Sequence, residues 1–408
     1  MIPINIVTIF QLVTMLLFFF GPIKRVLLNP ELDFIYLILV ILSLRIGFMS
    51  VAYKKDIFSR STWPTRKKEI ASSPNDDRKV RLSFDIILVV YFLTSLLMLY
   101  SRTGSFLLDF SSFNDLGQVY YSRGESWNVA LERIVFILAP VTTMFIPFGM
   151  INFAKIKITR KVLFVLALAF RVLVDLVQGV NKSFADIIIF VLIFAIFLIC
   201  KKSIQDENKT SKMIIRFFIF MIIIGILFAV FLSVFSVNIL SRTSYDPNGY
   251  SSGTLYFISY LTEGYQAVDY SLTQPFTSTF GLGNSLYLLQ AINSNFLLER
   301  TYLFKNQVSY GWNWLVNWST LYVWIANDVS MIGVIPIMFL IGRLFAKTWK
   351  QSLFEGNLSS LIVAGLMFQL CIYSSANNQI VQLQSGFVGT WFWLAFWFLF
   401  KQLGIRLK

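Results

Sequence analysis

The feature that most constrains this chain is a succession of apolar runs, each close to 20 residues long and divided by short polar stretches. Wound as α-helix, a run of about 20 residues matches the hydrocarbon thickness of a bilayer. The runs are continuous and do not alternate, as the strands of a membrane barrel would. Ten can be read, at 4–20, 33–53, 84–100, 134–153, 162–180, 184–200, 217–237, 321–345, 358–374 and 387–400. The expectation is an all-α polytopic membrane protein of about ten transmembrane helices, a single integral membrane domain over 1–408. Only 14% of the residues are charged, where a soluble domain carries roughly a quarter. The first run lacks a basic leader and a small-residue cleavage site, so it reads as a helix and not as a cleaved signal.

A net charge of +14 would suggest a nucleic-acid partner in a soluble protein. Here the cations punctuate the apolar runs and act as orientation signals, so no nucleic acid is expected. Segments 54–83, 155–161, 201–216, 343–357 and 401–408 hold nine, four, five, three and three basic residues, 24 of the 35 in the chain. By the positive-inside rule these segments, and both termini, face the cytoplasm. Residues 101–130, the long stretch 237–320 and the turn 179–183 then face outward, with Lys24 and Arg25 as exceptions to the charge pattern. The segment 54–83 is a cytoplasmic basic loop. There is no internal repeat of the kind that marks many transporters.

Several chemistries are excluded by residue type. The chain has no histidine. A Ser-His or Cys-His nucleophile is therefore impossible, and a transition-metal site has almost no ligands to draw on. Cys200 and Cys371 fall in apolar runs and read as inert core residues. No cofactor is expected.

Charges inside apolar runs need partners or a function. Arg171 and Asp175 lie four apart, as do Lys182 and Asp186, so each pair shares a helix face. Arg171 and Lys182 are candidate binding residues, and a pair of ion bridges locking a helical hairpin is the alternative. Arg45, Glu132, Arg133 and Asp328 are also in or beside runs; Asp328 is either a packing contact or a site residue.

The stretch 237–320 is crowded with aromatic residues and glycine. Tyr245, Tyr250, Tyr256, Tyr260, Tyr265 and Tyr270 recur every four to six residues, and Trp312, Trp314, Trp318 and Trp324 follow. An interfacial aromatic belt accounts for Trp318, Tyr322 and Trp324. The earlier tyrosines sit among Gly, Ser and Asn, and their rings and hydroxyls suit sugar rings and sugar hydroxyls. Residues 254–272 can form an amphipathic helix on or dipping into the membrane. The loop's cations are Arg242, Arg300 and Lys305; a guanidinium could engage phosphate oxygens two at a time, and the acids Asp246, Glu263 and Asp269 could accept a hydroxyl proton.

These residues resemble a known family. GYSSGTLYFISYLTEGYQAVDY at 249–270, NDVSMIG at 327–333 and VQGVNKSFADII at 177–188, set in many spans with a large outer loop late in the chain, look like the Wzy-type O-antigen polymerases. Some members carry an Arg, ten residues, then a Gly in outward loops; Arg242 with Gly253 and Arg300 with Gly311 have that spacing. Here both copies lie in one loop, between the seventh and eighth runs, where the family places them in separate loops. The resemblance implies a GT-C-like or O-antigen polymerase-like helical bundle in the bacterial inner membrane, with that loop on the periplasmic side. It implies a glycosyltransferase joining oligosaccharide repeat units carried on undecaprenyl diphosphate, with inversion and loss of undecaprenyl diphosphate. Arg242, Arg300, Arg171 and Lys182 would then contact diphosphate or sugar, with Gly253 and Gly311 beside them. Asp246, Glu263 or Asp269 would serve as base, and Tyr245, Tyr250, Tyr256, Tyr260 and Tyr265 would receive sugars. Membrane lipid, a chain-length regulator and a flippase are the implied partners. O-antigen ligases share the architecture but look to an outward histidine, which this chain lacks. A polysaccharide or lipid transporter (flippase) and a non-catalytic membrane subunit are the remaining alternatives.

Overall fold

A computed structural model describes residues 2–52, 74–108, 129–153, 155–178, 180–205, 222, 225–237, 252–292, 294–314, 317–378, 380–382 and 384–402. Among the described residues the secondary structure is entirely helical. In chain order the helices are α1 (Ile2–Phe20), α2 (Pro30–Ala52), α3 (Pro74–Thr103), α4 (Val129–Asn152), α5 (Ile158–Leu176), α6 (Lys182–Gln205) and α7 (Gly225–Val237). They continue as α8 (Gly253–Leu272), α9 (Leu286–Ile292), α10 (Asn295–Arg300), α11 (Tyr302–Tyr310), α12 (Leu321–Glu355), α13 (Leu358–Tyr373) and α14 (Gln384–Gln402).

Six of these have the length and composition to cross a membrane: Ile2–Phe20, Pro30–Ala52, Arg78–Ser101, Arg133–Asn152, Lys182–Lys202 and Leu321–Glu355. Of the other four expected spans, α5 carries Arg160, Lys161, Arg171 and Asp175, Leu358–Tyr373 and Ser385–Leu399 are shorter apolar helices, and the seventh run is helical over Gly225–Val237 while most of it before Gly225 lies outside the described residues. The chain is thus a polytopic helical membrane protein with at least these six candidate spans. Most of the basic segment 54–83 lies outside the described residues.

The helices divide into two compact units. The first comprises residues 1–54 and 254–406, so the two ends of the chain build it together. Its spine is the pairing of α2 with α12. Glycine makes that pairing close. A Cβ on Gly47 would stand 2.1 Å from the carbonyl oxygen of Phe339, and a Cβ on Gly342 would stand 2.1 Å from that of Leu44. Small residues let helix backbones approach this way when lipid offers no hydrophobic drive to associate. Ser43 donates to the carbonyl of Ile335 at 2.6 Å, and Tyr36 donates to that of Met331 at 3.0 Å. These bonds fall where α12 is interrupted. Ser330 has φ 71° and ψ 163°, outside helical geometry, and Pro336 supplies no amide hydrogen.

α13 packs on α12, α1 and α14 within this unit and is buried along nearly its whole length. α8 is a core element of the unit too. From Thr262 to Ser271 every residue except Glu263 and Tyr270 is buried. Gly264 permits this, since a Cβ there would meet the carbonyl of Ser375 at 2.4 Å. The helix expected at 254–272 therefore exists, and the 262–271 part of it lies inside the unit.

The second unit, residues 55–253, packs α3 against α4 and α5, and packs α6 against α4 and α5. Tyr91 stacks on Phe145 at 4.0 Å, and Phe145 meets Phe164 at 4.9 Å. Gly149 leaves room for the Phe164 ring, which a Cβ would strike at 2.3 Å. Arg160 grips Asp85 with two parallel bonds of 2.7 Å, the fork geometry that makes Arg–carboxylate pairs strong.

Candidate functional site

The described part of the stretch 237–320 is organised by the start of α12. Thr320 caps that helix, its hydroxyl accepting from the amide of Val323 at 3.3 Å. Two turns on, Asn327 and Asp328 turn back toward the turn at 278–284. The Asp328 carboxylate accepts from the amides of Gly281 at 2.8 Å and Gly283 at 3.1 Å, from the Asn284 amide group at 3.0 Å, and from the hydroxyl of Thr279. Asn327 is fully buried, accepts from the amide of Tyr302 at 2.8 Å and donates to the carbonyl of Gly283 at 2.8 Å. NDVSMIG is thus the clasp that shapes this turn. Among the described residues, the non-glycine residues with positive φ are Phe280 at 58° and Ser330 at 71°. Both flank the clasp. Strained backbone of this kind persists only where surrounding contacts over-determine it, and it clusters at sites with a task.

Arg300 ends α10 beside this turn. Its Nε donates to the carbonyl of Ser278 at 2.6 Å, and its guanidinium lies 5.0 Å from the ring centres of both Phe280 and Phe296. Those residues are 68% and 60% exposed, so the cation adjoins exposed apolar surface. Lys305, one turn into α11, donates to the carbonyl of Pro275 at 2.7 Å and to the hydroxyl of Thr277 at 2.6 Å. Partial burial and the nearby Arg300 charge pull its pKa below the ordinary lysine value. Among the described residues neither cation forms an ion pair. Gly311 ends α11 in the left-handed conformation, φ 68°, where glycine carries no Cβ penalty. The Arg300–Gly311 spacing therefore brackets α11 from the residue before its cap to the residue that stops it. Gly253 opens α8, and a Cβ there would meet Ser236 at 2.2 Å, so that glycine answers a close approach.

A second cluster of unit 1 gathers on α8. Arg25 donates from Nη2 to the hydroxyls of Ser259 at 3.2 Å and Thr262 at 3.4 Å, and lies 5.8 Å from the Phe18 ring centre. Glu263 is half-buried beside it. Burial pushes its carboxyl up to about 7, against the opposing pull of Arg25 and the Trp318 amide. Tyr260 stands edge-on to Trp318 at 5.1 Å. Asp269 accepts from the amides of Leu28 at 2.8 Å and Asn29 at 3.0 Å, and Gln266 donates to the carbonyl of Val26 at 3.0 Å. The pair thereby fastens the α1–α2 connection to α8.

The expected site residues are thus distributed. Arg300, Glu263, Asp269, Tyr256, Tyr260, Tyr265 and Gly311 belong to the first unit. Tyr265 is fully buried, with its hydroxyl 3.0 Å from that of Thr14, and Tyr256 and Tyr260 are half-buried. Tyr265 thus presents no ring face to a ligand in this form. Asp269 is fully buried and occupied by backbone amides, which makes it a fastening, whereas Glu263 keeps part of its surface. Arg171 and Lys182 belong to the second unit. Arg171 pairs with Asp175 at 3.5 Å and donates to Ser183 at 3.1 Å, while Ser183 donates to Asp175 at 2.5 Å. Lys182 pairs with Asp186 at 2.5 Å. The Arg171–Asp175–Ser183 set ties α5 to α6, whereas the Lys182–Asp186 pair lies within the first turns of α6. Arg242, Tyr245, Asp246 and Tyr250 lie outside the described residues.

Sequence reasoning passed over Arg25, whose one signal was its conflict with the charge pattern, and gave Lys305 no role of its own. Among the described residues no cluster of His, Cys, Asp and Glu could hold a metal ion. Comparison with family models, with curated proteins and with solved structures finds no match for this chain. What the fold defines is the class: an all-helical membrane protein with a cationic and an acidic cluster in one unit.

Proposed function

We propose that this chain is a polysaccharide polymerase of the O-antigen type, a glycosyltransferase of the bacterial inner membrane that joins oligosaccharide units carried on undecaprenyl diphosphate. The observation that carries the reading is the setting of Arg300. A guanidinium 5.0 Å from two exposed phenyl rings, with Lys305 in the next helix and no ion pair to either cation among the described residues, suits a ligand that is both greasy and strongly anionic. A polyprenyl diphosphate has that dual character. The resemblance of 249–270 and 327–333 to the Wzy-type polymerases points the same way.

In this mechanism Arg300 and Lys305 hold the donor's diphosphate and stabilise the charge it gains on leaving. A hydroxyl of the acceptor unit attacks the anomeric carbon from the opposite face. The new C–O bond forms as the bond to diphosphate breaks, and Glu263 takes the hydroxyl proton. A carboxyl with its pKa near the working pH is well matched to that role. The ten-span arrangement with both termini cytoplasmic, and the periplasmic placing of 237–320, belong to the same proposal.

The test is reconstitution of purified protein with a lipid-diphosphate-linked repeat unit, followed by glycan sizing. Wild-type protein is expected to yield a ladder of longer chains, and Arg300→Ala is expected to lower its rate by about a hundredfold. Failure of the wild type to elongate the repeat unit of its own host overturns the reading. Transfer to a lipid A core in place of elongation would make it a ligase.

A further inference from the structure

The segment 273–280 touches three chemically different neighbours in order. At its start the Thr273 hydroxyl lies 2.7 Å from that of Tyr310, whose ring stacks on Tyr270 at 4.5 Å. Trp312 stands edge-on to the same Tyr270 at 5.7 Å. In the middle, Pro275 and Thr277 receive Lys305, and Thr277 donates to the carbonyl of Arg300 at 2.8 Å. At its end Ser278 receives the Arg300 Nε, and the Phe280 and Phe296 rings each lie 5.0 Å from the guanidinium. From residue 273 to residue 280 an extended chain reaches at most about 24 Å. Within that reach the surface passes from stacked phenols, through two cations, to exposed phenyl rings.

We propose that this strip is a linear binding site whose order fixes the direction of its ligand, a glycosyl diphosphate lipid: prenyl chain against Phe280 and Phe296, diphosphate at Arg300 and Lys305, and the first sugars against Tyr310 and Tyr270. It rests on the polymerase reading for the kind of ligand, and adds two residues, Tyr270 and Tyr310, and an orientation. Charge supports the middle position, since among the described residues neither cation forms an ion pair. Geometry supports the sugar end, since Tyr310 is 37% exposed while Tyr270 backs one face of its ring. Ring stacking gives a sugar an apolar platform with hydroxyls at its rim.

The experiment measures binding to the full-length purified protein of two probes: a short-chain polyprenyl diphosphate, and the same lipid bearing a reducing-end disaccharide. Wild type is expected to bind both, the glycosylated probe more tightly. Lys305→Gln is expected to weaken both probes by a similar factor. Tyr310→Ala is expected to remove the gain contributed by the sugar, about fivefold, while leaving the bare lipid's affinity unchanged. Tyr310→Phe keeps the ring and is expected to bind both probes like wild type, provided all variants melt within a few degrees of it. Equal weakening of both probes by Tyr310→Ala, or no effect of Tyr310→Ala on the sugar-bearing one, overturns the orientation. Wild-type protein that binds neither probe overturns the polymerase reading beneath it, a separate result.

Discussion

Burial ties the protonation of Glu263 to folding and, in the proposed mechanism, to reaction rate, with opposite signs. Its folded-state value of about 7 stands above the free carboxyl value of 4.5. The folded chain therefore holds this proton more tightly than the unfolded chain. The stability it contributes is fully present below the ordinary carboxyl range and is lost as pH rises through about 7. In the proposed mechanism the deprotonated form is the one that accepts the hydroxyl proton. Polymerisation rate is expected to rise with pH and level off above about 7, while the thermal midpoint falls over the same interval. Glu263→Gln is expected to flatten that fall and to leave little activity at any pH, as read from melting curves and glycan sizing across pH 5 to 8. Arg25, whose charge opposes the burial effect, was not legible as its neighbour. The residues it bonds, Ser259 and Thr262, lie 234 and 237 positions away, and nothing in local spacing joins them. Glu263 and Arg300 could be named in advance, because charge among aromatic and apolar residues is a local signal. Their different situations could not: Asp269 carries the same kind of charge as Glu263, yet it is spent on two backbone amides.

At the scale of elements, what the sequence made visible were the helices that need only their own apolarity. α1, α2, α3, α4, α6 and α12 all overlap expected runs, because 20 consecutive apolar residues leave few other folds. The inward placing of α8 was not visible, since a mixed sequence of tyrosine, serine and glutamate reads as a surface helix until its partners are known. Gly264 is the point of contact with the backbone at Ser375, which local spacing could not show. Close helix pairing yields a direct prediction. Gly342→Val is expected to lower stability by about 1–3 kcal/mol, because the atom it would strike is a backbone oxygen that cannot rotate away. Gly225→Ala, with nothing within 4 Å of the added carbon, is the control and is expected to be neutral or slightly stabilising. Thermal unfolding in detergent compares the two. The break in α12 makes a second prediction. Ser330→Gly is expected to raise the melting temperature, by roughly 1 kcal/mol of relieved backbone strain, because glycine accepts φ 71° without a Cβ clash.

For the whole molecule, the order of the chain matters as much as its composition. The first unit is built from residues 1–54 together with 254–406, with the second unit threaded between them in sequence. α1 and α2 meet α13 and α12 only after some 300 further residues have been made, so the first unit depends on contacts of very high sequence separation. A fragment ending at residue 253 is expected to leave α1 and α2 open to protease. Co-expression with a fragment of residues 254–408 is expected to restore protection, assayed by limited proteolysis of membranes. Sequence patterning could not announce this division, because apolar runs look alike whichever unit they join.

The interruption at Ser330 splits α12 into arms of unequal length. The arm from residue 331 to 355 is about 38 Å long and is clamped to α2 through Gly342 and Gly47. The arm from 321 to 329 is about 14 Å long and carries Asn327 and Asp328. With the long arm anchored, Ser330 acts as a fulcrum, and any change of angle there is delivered to the short arm. A swing of about 5° would carry that end by about 1 Å over the arm length set by the helical rise. Asp328 lies only about 3 Å along the axis from that fulcrum, so the turn it holds, on which Arg300 leans, would stay nearly still while the Thr320 end moves, which makes the clasp the fixed point of any bend in this helix.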